Sequence, residues 1–483
     1  MWQQLRTGLA VICFAGCLLL FCDRSENSEL ALSLSWLAGV QLVPAVLAGS
    51  LATAGVILAA TLLLGRAYCS VVCPLGILQD VLASLRQKRR YAYRKGRPVL
   101  RAFFLCVFLA GIALGIPVVH GLLEPYSAFG RMAASIGEPV SVLAHNGMEW
   151  LTRKIDSPAL APQPLVFHGW APLLAALATL AVIAFLVMRY GRIWCNTFCP
   201  VGTALGLLSR HALIRPRIDV NRCVHCGTCA AICKAGCIDA TSANVDASRC
   251  VACCNCVDVC AKNALRFLPG KAAPPVDRGG RRVALAGLTT LLVSPLERAL
   301  AANVREEQDI PALRHKKRRT HAVPVLPPGA MGVRHFFSLC TGCQLCVTAC
   351  PHDVLRSRDQ GTGLLQPAMS FEYGFCHLKC VACGKVCPAG AITALRPEEK
   401  SSIQVGRAVI HPDVCVVTTD KVVCTACQRM CPAGAISLVG MEELKHPAVD
   451  AEKCTGCGAC EYICPARPLS AIRIEGNLEH RRL

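Results

Sequence analysis

The chain has 483 residues, a mean hydropathy of +0.44, 53% hydrophobic residues, 34 cysteines and a formal net charge of +20. So apolar a composition excludes an ordinary soluble protein, and so many cysteines in so long a chain require disulfides or metal. The positive charge reads as a membrane-topology signal, and nucleic acid is not an expected partner because no recognition motif accompanies it.

Lys or Arg at a bilayer centre costs about 2.5–3.5 kcal/mol, so apolar spans end where charges begin. That rule predicts membrane helices at about 7–22, 45–64, 102–119 and 170–188, each near the length that crosses the hydrocarbon. The loop after the second run carries eight Lys/Arg between Arg86 and Arg101. It is expected on the cytoplasmic side, which puts both ends of a four-helix domain, residues 1–210, in the cytoplasm.

"GRAYCSVVCPLG", Gly65 to Gly76, follows the second run, and "GRIWCNTFCPVG", Gly191 to Gly202, follows the fourth. Thiols four apart share a helix face, so Cys69 with Cys73 and Cys195 with Cys199, joined by the repeat, would make a four-sulfur site at the cytoplasmic face. It could bind a metal, accept electrons or exchange with a disulfide. The competing reading is a tight turn in which proline starts a helix. Between the third and fourth runs, "HGLLEPYSAFGR" gathers His120, Glu124 and Tyr126, groups able to hydrogen-bond a quinol and take its protons. As an interfacial loop it could equally use Tyr and His as anchors.

Of the cysteines, 26 lie after residue 222, and 24 of them fall into six quartets. "CVHCGTCAAIC" supplies Cys223, Cys226, Cys229 and Cys233, and "CVACCNCVDVC" supplies Cys250, Cys253, Cys256 and Cys260. In this bacterial ferredoxin spacing three close thiolates wrap one [4Fe–4S] cube and the fourth cysteine serves the paired cube. Cys260 is therefore expected with Cys223, Cys226 and Cys229, and Cys233 with Cys250, Cys253 and Cys256. Four further quartets follow: Cys340, Cys343, Cys346, Cys350; Cys376, Cys380, Cys383, Cys387; Cys415, Cys424, Cys427, Cys431; and Cys454, Cys457, Cys460, Cys464. Structural zinc prefers separated C-x2-C pairs or Cys/His mixtures, and disulfide scaffolds are small and loop-rich, so iron and sulfide are expected. Pro351, Pro388, Pro432 and Pro465 close the last four runs, whereas Lys234 and Ala261 close the first two. Cys237 and Cys254 are left over and read as packed small residues.

Between the cysteine-rich parts, residues 278–302 join Arg281 and Arg282 to a short apolar core and the Ala299-Leu300-Ala301 triplet. The segment resembles an internal twin-arginine export signal; a helix that never crosses is the alternative. No dinucleotide fingerprint or P-loop is present.

Residues 1–267 resemble NapH-type membrane ferredoxins, related to the FixG and NosR membrane proteins, through the two C-x3-C-P motifs followed by a two-cluster domain. Residues 278–483 resemble NapG/MauM-type ferredoxins, with a signal and four cluster motifs. The resemblance implies a fusion of the two: a membrane α-helical bundle of four spans plus a signal-like fifth segment, followed by α+β ferredoxin domains at 211–270 and 336–483, with 271–335 a linker. It implies electron transfer from the quinone pool through six [4Fe–4S] clusters toward a partner such as a multihaem cytochrome or terminal reductase. The alternative it carries is an assembly or regulatory role, reducing a metal or maintaining a partner enzyme. The first ferredoxin domain is then expected in the cytoplasm and the C-terminal one in the periplasm of a bacterial inner membrane.

Overall fold

The computed structural model describes residues 2–22, 33–85, 91–114, 116–154, 162–163, 165, 169–269, 323–360, 363–440 and 444–483. The signal-like segment 278–302 lies outside the described residues.

The N-terminal half is built from α1 (Trp2–Cys22), α2 (Leu51–Leu64), α3 (Pro74–Ser84), α4 (Pro98–Ala113), α5 (Pro125–Met132), α6 (Trp170–Tyr190) and α7 (Pro200–Ser209). Among the described residues, α1 (from Gln3) and α6 are long and apolar enough to cross a membrane, whereas α2 and α4 are shorter. Two expected spans are thus broken. The run at 45–64 is interrupted by Gly49, whose φ of +71° ends a short helix before α2 begins. The run at 102–119 stops at Ala113 because Pro117 starts a new helix and disfavours helical backbone just before itself. Leu5, Ile12, Leu51, Val56, Phe103, Leu109, Leu174 and Phe185 all project outward from these helices.

Two cysteine-rich units cap this bundle. In the first, strand β1 (Ile214–Ile218) pairs antiparallel with β2 (Leu265–Pro269) and encloses the two quartets between them. In the second, β3 (Ile403–Ile410) pairs with β4 (Ile472–Arg482). This unit starts earlier than expected: Val325, Leu326 and Ala330 are fully buried, and Met369 N donates to Val325 O at 2.7 Å. Residues 323–335 therefore belong to the packed unit and not to a solvated linker.

α1, α2, α4 and α6 run alternately from one unit to the other. On α1, Arg6 pairs with Asp80, which also binds Lys234 of the first unit, while Phe21 packs on Tyr126 and Phe129 beneath the second. The C-terminal end of α2 meets the first unit, where Leu213 N donates to Leu62 O, and Ala48 just before its start lies against Gly390 of the second. Arg101 near the start of α4 donates to Ser248 of the first unit, and Gly111 near its end packs on Val119. Past the end of α6, Arg192 N donates to Lys234 O, while Gly169 before its start sits against the Asp359 carboxylate of the second unit. Twenty-one helical residues span about 30 Å, so the two units stand at opposite ends of the bundle. One apolar core runs between them, from Val251 through Cys69, Cys73 and Cys199 to Leu345 and Val386.

Candidate iron–sulfur centres

A cluster site needs backbone N–H groups turned toward sulfur, and residues that alternate between left-handed and other backbone provide such a concavity. In the four C-x2-C-x2-C runs the residues on either side of the second cysteine are left-handed: His225 and Gly227, Ala252 and Cys254, Gly342 and Gln344, Gly456 and Gly458. Left-handed backbone favours glycine or Asn/Asp, yet His, Ala, Cys and Gln occupy four of these eight positions, so the turn is imposed at a cost in strain. Amide donors reach the sulfurs directly: Ala252 N to Cys250 Sγ at 3.4 Å, Ala435 N to Cys431 Sγ at 3.3 Å and Ala471 N to Cys464 Sγ at 3.3 Å. Among the described residues no three His, Cys, Asp or Glu side chains are spaced for a single ion. A four-iron cube holds its thiolates farther apart than one ion does, so all-thiolate sets of this kind fit the cube.

The quartets cross as paired ferredoxin motifs require. Cys223, Cys226, Cys229 and Cys260 line one cavity, and Cys233, Cys250, Cys253 and Cys256 line the next. In the second unit Cys387 is within electrostatic reach of Cys340, Cys343 and Cys346, and Cys350 of Cys376 and Cys383. Cys464 joins Cys415, Cys424 and Cys427 around one cavity, and Cys431 lies near Cys454, Cys457 and Cys460. Successive quartets thus pair with each other. Cys376 N donates to Cys457 O at 2.9 Å, which links the two pairs of the second unit.

The departures from the proline rule have structural reasons. Lys234 holds Asp80 at 3.2 Å through Nζ and accepts from Arg192 N through its carbonyl, so this position docks the first unit on the bundle. Cys237 is buried with its sulfur 3.5 Å from that of Cys233, and Cys254 is the left-handed residue after Cys253. Sequence reasoning missed Lys400, whose buried Nζ donates to Cys376 Sγ at 3.2 Å, to His377 O at 2.6 Å and to Cys380 O. An ammonium on a cluster thiolate favours the reduced cube. Lys400→Met is expected to make the potential of the Cys376 cluster more negative by on the order of 60 mV, a tenfold change in a one-electron equilibrium. An EPR-monitored redox titration checks this; an unchanged potential would show that Nζ does not act on the sulfur.

The C-x3-C-P cysteines do come together, though not on one helix face. Cys73 and Cys199 are extended, with ψ of 113° and 119°, because Pro74 and Pro200 follow them and open α3 and α7. All four thiols are buried, and Cys73 lies within electrostatic reach of the other three.

His120, Glu124 and Tyr126 are not open interfacial anchors. All three are buried beneath the second unit, where His120 Nε2 lies 3.3 Å from Cys340 O. Glu124 caps α5, accepting from Tyr126 N at 3.0 Å and from Ser127 N. Burial pushes its pKa up against those hydrogen bonds. Tyr126 Oη is buried with no hydrogen-bond partner among the described residues.

These features define an iron–sulfur electron-transport chain of the polyferredoxin class; the chain belongs with the ferredoxin-type proteins of the NapG kind and is similar to those of the NapH kind. The profile of a 4Fe-4S binding domain family matches residues 46–92 and 170–221, the two copies of the internal repeat, and another matches 220–236. Profiles of 4Fe-4S dicluster domains match 246–354, 339–392 and 422–467. The first of these joins quartets that the fold places at opposite ends of the bundle. The methylamine utilization ferredoxin-type protein MauN of Methylorubrum extorquens is 30% identical over 173 residues, 35% of this chain and 47% of its own length. Ferredoxin-type protein NapH of Haemophilus influenzae is 25% identical over 171 residues, 35% and 47% respectively. Ferredoxin-type protein NapG of Escherichia coli is 32% identical over 162 residues, 30% of this chain and 68% of its own length. The chain thus spans about half the length of the NapH-like and MauN relatives and two thirds of the NapG relative. No solved structure matches.

Proposed function

We propose that the chain is a membrane-bound iron–sulfur protein that accepts electrons from a quinol and relays them through six [4Fe–4S] clusters to a redox partner, such as a multihaem cytochrome or a terminal reductase. The observation that carries this reading is the pair of cysteine-rich units at opposite ends of one apolar helical bundle. Outward-facing Leu, Ile, Val and Phe on α1, α2, α4 and α6 suit lipid better than water. The basic loop then puts the unit of Cys223 to Cys260 in the cytoplasm and the unit of Cys340 to Cys464 in the periplasm. Glu124, with its raised pKa, supplies a carboxylate to take a quinol proton beside Cys343, and the unpartnered Tyr126 hydroxyl supplies a hydrogen bond to the quinol oxygen.

The test is rapid-freeze EPR of the anaerobic protein in lipid, mixed with a menaquinol analogue. Reduction of the cluster signals on mixing is expected. Clusters that stay oxidised with quinol yet fill from a soluble cytoplasmic donor would replace this reading with the assembly or metal-reducing one.

A further inference from the structure

The two C-x3-C-P copies are locked together by reciprocal bonds about a pseudo-twofold axis. Arg66 of the first copy donates to Cys195 O of the second at 2.9 Å, and Arg192 of the second donates to Cys69 O of the first at 2.9 Å. Gly76 and Gly202 permit this contact, since a Cβ on either would stand 2.1 Å from the carbonyl of the first cysteine in its own copy. The N-termini of α3 and α7 begin at Pro74 and Pro200, directly after Cys73 and Cys199, so two positive helix ends converge on the thiols. Gly202 N donates to Cys199 Sγ at 3.3 Å, and Gln79 Nε2 to Cys195 Sγ at 3.2 Å.

The charges around these thiols do not balance by themselves. Arg66 is fully buried, and its partners are Asn196 Oδ1, Ser248 O, Cys195 O and, at 3.8 Å, Cys69 Sγ; none is a carboxylate. Arg192, Lys234 and Arg6 share the single carboxylate of Asp80. Buried cations of this kind need an anion nearby. An oxidised iron–sulfur core carries two positive charges, so four thiolates around it leave two negative ones, which offset most of this excess. A single tetrahedral ion would need the sulfurs drawn to about 2.3 Å from one point, and no such group occurs among the described residues.

The site also lies on the line between the units. On one side Arg66 and Arg192 are within electrostatic reach of Cys250 and Cys253. On the other, Tyr68 is within electrostatic reach of Cys73 and Glu124, and Tyr126 of Glu124 and Cys343. We propose that Cys69, Cys73, Cys195 and Cys199 together hold one further iron–sulfur cluster, set on the repeat axis as the stepping point between the two ferredoxin units. The inference rests on the electron-carrier reading above and adds a centre to its six. Its redox step is a one-electron exchange with the neighbouring [4Fe–4S] clusters, one losing the electron that the other gains, with no bond made or broken.

The experiment compares iron and acid-labile sulfide in anaerobically purified full-length protein and in Cys73→Ser/Cys199→Ser, together with Mössbauer spectra after 57Fe labelling. Six cubes account for about 24 irons. Wild type is expected to hold two irons more if the centre is [2Fe–2S], or four more if it is [4Fe–4S]; the variant should lose only those and keep the ferredoxin signals. Equal iron in both proteins overturns the inference. If that shared value is about 24 the six-cluster reading stands, and if it is far lower both fail. Should the variant not fold, the wild-type Mössbauer spectrum decides alone: a component beyond six cubes supports the inference, and its absence overturns it.

Discussion

Asp80→Asn is expected to destabilise the junction between bundle and first unit by about 3–5 kcal/mol, the usual cost of leaving buried charge uncompensated. Asp80 accepts from Arg192 at 3.0 Å and lies within 3.2 Å of both Arg6 and Lys234, tying α1, the second repeat copy and the first unit to α3. Burial alone would raise its pKa, but Arg192, Lys234 and Arg6 outweigh burial and hold it at about 2. A depressed carboxylate stabilises the fold fully above its unfolded pKa near 4. That contribution, about 2 kcal/mol, is lost as pH falls through 2. The substitution should cost more than acid does, because Asn also lacks the geometry to engage three cations. The check is thermal loss of cluster absorbance in detergent: the variant should lose the first unit's clusters well below the wild-type midpoint at neutral pH. A midpoint within a degree of wild type would show that the three cations are solvated and that the hub carries no stability.

The grouping of the quartet cysteines was legible because their geometry is local. C-x2-C-x2-C places three sulfurs on one turn whatever the rest of the chain does, and the crossed fourth ligand follows from that spacing, as Cys260 beside Cys229 shows. Which quartets pair in the second unit was not legible, because the stretched spacings at Cys376–Cys380 and Cys415–Cys424 leave several pairings open until β3 and β4 fix the chain. Lys400 escaped for the same reason: it reaches Cys376 across 24 residues.

The repeat shows the opposite balance. Gly65-Arg66 and Gly191-Arg192 recur visibly, and Gly76 and Gly202 stand at matching places after the prolines, yet only the fold reveals that each arginine serves the other copy's cysteine carbonyl. Helix ends followed simple breakers, Gly49 and Pro117, which a hydropathy reading passes over because both residues are apolar enough to continue a run. The burial of His120, Glu124 and Tyr126 was beyond sequence reasoning, since the residues that cover them belong to the Cys340–Cys343 loop more than 200 positions away.

The second large effect concerns conduction across the bilayer. Arg192 of the repeat touches the first unit, and Gly130, on the neighbouring α5, meets Cys343 of the second unit, where a Cβ would stand 2.4 Å from its carbonyl oxygen. If the bundle lies in lipid, electrons given to one unit should therefore leave from the other. In proteoliposomes with dithionite outside, ferricyanide trapped inside and an ionophore to cancel the charge moved, the full chain is expected to reduce the trapped acceptor, one ferricyanide becoming ferrocyanide for each electron taken from dithionite. Cys73→Ser/Cys199→Ser is expected to slow this at least about tenfold, because removing the middle centre lengthens the tunnelling step between Cys343 and Cys253 and the tunnelling rate falls steeply with distance. Empty liposomes set the leak. Reduction of the clusters without any loss of trapped ferricyanide would mean that both units face the same compartment, which would sink the transmembrane arrangement. Unchanged conduction in the variant would mean that electrons cross by a route that avoids the four thiols.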